Sequence, residues 1–189
     1  MGTLTRRACA QLEQSCNKPP LSLTPLHMNL FRRLLATDNT ISTLCLRLAL
    51  GIVFFPHGAG KMFPVFGGHG FSATLQGMSH GIGIPVAFVF LAIVAEFFGS
   101  IALVFGFLTR VAACGITAVM LVALALVHAR AGFFMNWASQ AGKTEGFEYH
   151  LLVLGICVAL ILRGGGVWSI DRFLVKNTAE QETRIPPQS

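Results

Sequence analysis

The sequence predicts an all-α protein, an integral membrane four-helix bundle with its N- and C-termini both on the cytoplasmic side. Three observations carry that prediction. The 189 residues are 53% hydrophobic and only 12% charged, with a mean hydropathy of +0.66, which lies well outside the balance of soluble domains. Four apolar runs each approach the ~20 residues that a spanning helix needs, and with their connections they exhaust the central segment. The basic residues are distributed by side. Arg6, Arg7, Lys18, Arg32 and Arg33 precede the first run, Arg110 joins the second to the third, and Arg163, Arg172, Lys176 and Arg184 follow the last. Only Lys61, Arg130 and Lys143 fall on the opposite side, so the positive-inside rule sets the orientation. The same distribution explains the formal net charge of +6 without recourse to nucleic acid.

Residues 1–40 are polar, basic and proline-containing, and lack the apolar core and cleavage site of a signal peptide. They read as a flexible cytoplasmic tail. The four-helix domain then covers residues 41–175, and residues 176–189 form a cytoplasmic C-terminal tail.

Asp38, Asn39 or Thr40 is placed to cap the first span, about 41–62, which Arg47 interrupts. Residues 63–83, rich in glycine and phenylalanine, read as a loop or re-entrant segment. The second span, about 85–108, begins with Pro85, tolerated in a first turn because no backbone donor is lost there, and its one charge is Glu96. Thr109 and Arg110 turn the chain into the third span, about 111–129, and so short a turn makes the two helices antiparallel neighbours. The polar segment 131–146 carries Trp137, suited to an interface. The fourth span, about 147–166, has the fewest apolar residues and carries Glu148 and His150 at its start, so it must tilt or extend toward Trp168.

An ionisable side chain at membrane depth costs about 2.5–3.5 kcal/mol on insertion scales, so each one should face the bundle and have a partner. Arg47 and Glu96 are expected to form a structural ion pair that fixes helix register. A second group gathers toward the outer side: His57 and Lys61, one turn apart on one helix face, with His128, Glu148 and His150, accompanied by His69, Arg130 and Glu145. His57, Lys61, Glu96, His128, Glu148 and His150 make up the candidate polar site. Lys61 has a plainer reading, snorkelling to the interface. No histidine pair has helical metal-ligand spacing, so no metal is assigned, and nothing nominates a nucleophile. The five cysteines, Cys9, Cys16, Cys45, Cys114 and Cys157, form no C-x-x-C motif and no disulfide framework. Gly51 and Gly58, seven apart on the face of Arg47, and Ala92, Gly99 and Ser100 beside Glu96 let backbones approach closely.

A set of short motifs in fixed order resembles the DoxX family. They are Arg47 to Gly51, Pro56-His57-Gly58-Ala59-Gly60-Lys61, Phe66-Gly67-Gly68, Gly83-Ile84-Pro85, Ala95-Glu96-Phe97-Phe98-Gly99 and Gly106-Phe107-Leu108-Thr109-Arg110. The second half adds His128-Ala129-Arg130, Gly146-Phe147-Glu148-Tyr149, Gly164-Gly165-Gly166 and Ser169-Ile170-Asp171. The likeness implies a four-span inner-membrane protein whose relatives are associated with thiosulfate:quinone oxidoreduction and membrane-bound oxidative-stress complexes. The family positions matched are Arg47, Gly58, Lys61, Glu96, Arg110, His128 and Glu148.

The expected function is therefore a membrane subunit or accessory factor of a redox system, an oxidoreductase subunit if it is enzymatic at all. No cofactor motif is evident; a quinone is the carrier such a subunit would accommodate. The expected partners are the bilayer, a redox protein complex and further copies of the chain. A non-enzymatic membrane scaffold and a small-molecule channel or transporter remain the alternatives.

Overall fold

The computed structural model describes residues 33–184, and most of the predicted N-terminal tail, with Cys9 and Cys16, lies outside them. The helices are α1 (Ile41–Met62), α2 (Phe71–Gly81), α3 (Val86–Phe105), α4 (Thr109–Ala123, continued by a π-helical turn, Leu124–His128), α5 (Glu148–Arg163) and α6 (Ile170–Arg184). The described residues contain no strand.

The bundle is built from α1, α3, α4 and α5. α1 packs on α3, α3 on α4, α4 on α5, and α5 returns to α1. Leu50 and Phe54 of α1, Leu103 of α3, Ala113, Ile116 and Met120 of α4, and Val153, Cys157 and Leu160 of α5 fill the space between them. Close approach of α1 and α3 depends on glycine. A Cβ on Gly58 would stand 2.5 Å from the Phe97 nitrogen, and one on Gly51 would stand 3.0 Å from the Ser100 carbonyl. The small-residue face therefore does bring two backbones together.

Three helices are long and apolar enough to cross a membrane: Ile41–Met62, Val86–Phe105 and Thr109–His128. No more than 33% of each is buried inside the bundle, and Phe88, Leu91, Phe98, Leu121 and Leu126 project outward. Those side chains face lipid, because water would not support so continuous an apolar surface. α5 has 16 residues, about 24 Å of helix against a hydrocarbon core of about 30 Å.

Four sequence expectations change. Residues 63–83 are not simply loop. Glycines punctuate the segment's ends, but Phe71, Leu75 and Met78 follow the i, i+4, i+7 pattern of a helix face. They form the half-buried side of α2, and the Phe71 ring meets Phe90 edge-on at 6.2 Å. α5 stops at Arg163 instead of reaching residue 166, because Gly164 turns the chain with φ 80°. The C-terminal segment is helical through Arg184 as part of α6.

Residues 35–40 are not a loose tail but part of the bundle. Leu35 is 1% exposed, the Thr37 hydroxyl accepts from the Gly166 nitrogen at 2.5 Å, and the Asp38 nitrogen donates to the Arg163 carbonyl at 2.9 Å. Arg110 donates to the carbonyls of Ala36 and Leu162. One arginine thus ties three segments at this end.

Candidate functional site

The expected Arg47–Glu96 pair does not form. The register of two antiparallel helices is the reason. Arg47, two turns into α1, lies opposite Val104 near the end of α3, and donates to its carbonyl at 3.2 Å. Glu96 is eight residues before Val104, about 12 Å away along the axis. The Arg47 guanidinium instead donates to the Trp168 carbonyl at 3.2 Å and is drawn by the charge of Asp171.

Asp171 is the centre of this first polar station. One carboxylate oxygen accepts from the Leu108 nitrogen at 2.6 Å and the other from the Thr109 nitrogen at 2.9 Å, so a residue from α6 caps the first turn of α4. Helix N-termini leave donors unpaired and favour negative charge. Gly106 at φ 69° lets the chain pass beneath Arg47, since a Cβ there would stand 2.8 Å from the guanidinium carbon. Sequence reasoning misses this cap, because the acceptor lies 62 residues from the Thr109 nitrogen it serves.

The second station sits at the other end of α1 and around the middle of α3. Lys61 Nζ and Glu96 Oε1 are 2.5 Å apart, with the lysine side chain 30% exposed and the glutamate 2%. Lys61 does not snorkel; it reaches inward. Phe97, next to Glu96 in sequence, sits in a cluster of rings, 5.6 Å from Phe63, 6.1 Å from Phe55 and 5.0 Å from Phe98. The burial of Glu96 lowers the local dielectric and strengthens the attraction.

Three buried polar atoms in this half of the bundle have no hydrogen-bond partner: Glu96 Oε2, Tyr149 Oη and His150 Nδ1. Acceptor and donor are both buried on this side of the bundle. Arg47 Nε and Thr109 Oγ1 are likewise unpartnered at the first station. Buried polar groups are nearly always paired, so each such atom marks strain, water or a ligand position.

His150, 5% exposed, lies with its ring 4.3 Å from that of His128. The π turn Leu124–His128, marked by the bond from the Ala129 nitrogen to the Leu124 carbonyl, swings His128 onto α5. Such bulges recur at functional sites. His128 Nδ1 meets the Glu145 carbonyl at 2.8 Å. Glu148 organises the loop of residues 131–147, accepting from the Met135 nitrogen at 2.9 Å and from Trp137 Nε1 at 2.7 Å. Glu145 accepts from the Asn136 nitrogen. A cleft of about 410 Å³ lies here, lined by Phe133, Trp137, Glu148, Tyr149, Leu151 and Leu152.

Of the predicted site residues, Lys61 and Glu96 come together as a pair and His128 and His150 as another, while Glu148 is taken up by the loop. His57 is exposed with its ring near Phe54. Among the described residues no three His, Cys, Asp or Glu side chains are grouped to hold a metal ion, and Cys45, Cys114 and Cys157 are free thiols. Tyr149 was missed by sequence reasoning, which weighed charges and imidazoles and passed over a lone phenol beside Glu148.

A closed set of apolar helices with an ion pair and two adjoining imidazoles defines a polytopic helical membrane protein with a polar site. The chain belongs to the DoxX family, whose profile matches residues 42–129. It is 33% identical over 150 residues to "Uncharacterized membrane protein Rv3486" of Mycobacterium tuberculosis (strain ATCC 25618 / H37Rv), covering 76% of this chain and 88% of that protein. It is 32% identical to "Inner membrane protein YqjF" of Escherichia coli (strain K12) over 72% of this chain and 94% of the relative. It is 30% identical to "Putative oxidoreductase CatD" of Bacillus subtilis (strain 168) over 72% and 89%. No solved structure matches the chain.

Proposed function

We propose that this protein is an inner-membrane component of a redox system that binds a lipid-soluble carrier such as a quinone at the Lys61–Glu96 station. The observation that carries the reading is the buried pair, 2.5 Å across, set beside unpartnered acceptor and donor atoms on Glu96 and Tyr149. An ion pair inside a bilayer protein is costly to keep unless it serves packing or a site. One relative bears an oxidoreductase name and another an inner-membrane name, which supports both halves of the proposal.

In this reading α5 is a fourth span. Leu152, Val158 and Leu162 give it an outward apolar face opposite buried Val153, Cys157 and Leu160, and tilt or local thinning of the bilayer accommodates its length. The end bearing Arg110, Arg163, Arg172 and Lys176 then faces the cytoplasm and the Lys61–Glu96 end faces outward. Partner redox proteins or further copies of the chain would supply the electrons.

The test is purification from native membranes in mild detergent, organic extraction, and assay of quinone-dependent electron transfer. Co-extracted quinone, or transfer lost in Glu96→Gln, is the expected result. An extract without quinone and membranes without such transfer would leave the scaffold alternative.

A further inference from the structure

The cleft between the 131–147 loop and α5 has a shape and lining that the ion pair alone does not explain. Its polar lining is small. Glu148, half-buried, holds the Trp137 indole at 2.7 Å, and behind the cleft wall the Tyr149 hydroxyl is buried with its hydrogen-bonding capacity unused. Its outer wall is apolar and faces away from the bundle, with Leu151 47%, Leu152 68% and Trp137 80% exposed. A water-soluble ligand would gain nothing from those leucines.

A cavity of about 150 Å³ takes one benzene-sized ring. The volume of about 410 Å³ therefore has room for a substituted ring and the start of a tail, within the size range of small-molecule sites.

We infer that this cleft is the lateral doorway by which a lipid-soluble ligand that carries a ring with a hydrogen-bond-accepting oxygen reaches the Lys61–Glu96 station. The ligand arrives from the bilayer across Leu151 and Leu152, and a turn of the Tyr149 ring, whose hydroxyl is buried behind the cleft wall, lets that hydroxyl donate to its oxygen. Trp137, tethered by Glu148, forms the aromatic lid. The tail stays against the leucines in lipid. This inference rests on the proposed carrier-binding function, and it adds the route and the parts that Tyr149 and Trp137 play in it.

The chain has two tryptophans, Trp137 and Trp168, which makes the test direct. Full-length protein in lipid nanodiscs is titrated with a decyl-tailed benzoquinone, which quenches nearby indole fluorescence. In Trp168→Phe the remaining Trp137 is expected to quench saturably, and in Trp137→Phe the remaining Trp168 only linearly, by collision. Added to the Trp168→Phe background, Tyr149→Phe should weaken the apparent Kd about fivefold, the worth of one neutral hydrogen bond. Leu152→Phe, on the exposed wall and so without a folding penalty, should weaken it by narrowing the doorway.

Saturable quenching of Trp168 but not Trp137, or of Trp137 with an affinity that neither substitution changes, overturns the cleft assignment and leaves the carrier-binding function standing. With no saturable quenching, quinone in the native extract again overturns the cleft alone. Its absence from that extract overturns both.

Discussion

Lys61 and Glu96 form an ion pair, Nζ to Oε1 at 2.5 Å, across the α1–α3 contact that Gly58 makes close. Breaking a buried pair by removing one partner strands the other charge. Lys61→Met should therefore cost about 3 kcal/mol, the low end for such pairs because the lysine is 30% exposed. Lys61→Met with Glu96→Gln together should cost less than Lys61→Met alone. Denaturant titration of the purified variants, followed by circular dichroism, gives the cycle. Additive costs would show that the pair contributes no coupling.

Arg47 and Glu96 should show no such coupling. They belong to different stations, and sites that share no partner add to within about 0.5 kcal/mol. The same titration on Arg47→Met, Glu96→Gln and the double variant measures it. A coupling above about 1 kcal/mol would restore the pair expected from sequence.

Asp171→Ala should destabilise the protein by about 3 kcal/mol. It removes two charge-assisted bonds to the Leu108 and Thr109 nitrogens and the counter-charge of Arg47. Asp171→Asn keeps an acceptor and should lose less. Thermal unfolding in detergent ranks the two, and equal stability of Asp171→Ala with the parent would refute the capping role.

Gly58 and Gly155 should respond oppositely to a side chain. A Cβ at Gly58 meets the backbone of Phe97, which cannot move aside as a side chain can, whereas nothing lies within 4 Å of one at Gly155. Gly58→Val should scatter into aggregates on size-exclusion chromatography through overpacking. Gly155→Ala, in the middle of α5, should remain monodisperse and gain up to about 1 kcal/mol from helix propensity.

Glu148→Gln should loosen the 131–147 loop. The charged acceptor for the Met135 nitrogen and the Trp137 indole becomes a neutral one, a loss of about 1 kcal/mol. Limited proteolysis of reconstituted protein should then cut between residues 131 and 146 faster than in the parent, and an unchanged cleavage rate would count against the tether.

The sequence by itself determined the class of protein. Apolar run length, the scarcity of charge and the placement of Arg110 between two runs are local properties, and they fix an α-helical membrane bundle whatever the packing. The small-residue face at Gly51 and Gly58 was also readable, because seven-residue spacing keeps side chains on one stripe of a helix.

The pairing of charges was decided only by tertiary structure. Whether Glu96 meets Arg47 or Lys61 depends on the axial register of α1 against α3, and a difference of two turns exchanges one partner for the other while leaving every local pattern unchanged. The same holds for Asp171 capping α4 from another helix, and for the π turn that brings His128 onto His150. Residues far apart in sequence meet there because the backbone of each element has already been placed by apolar packing, and polar side chains then take the partners within reach.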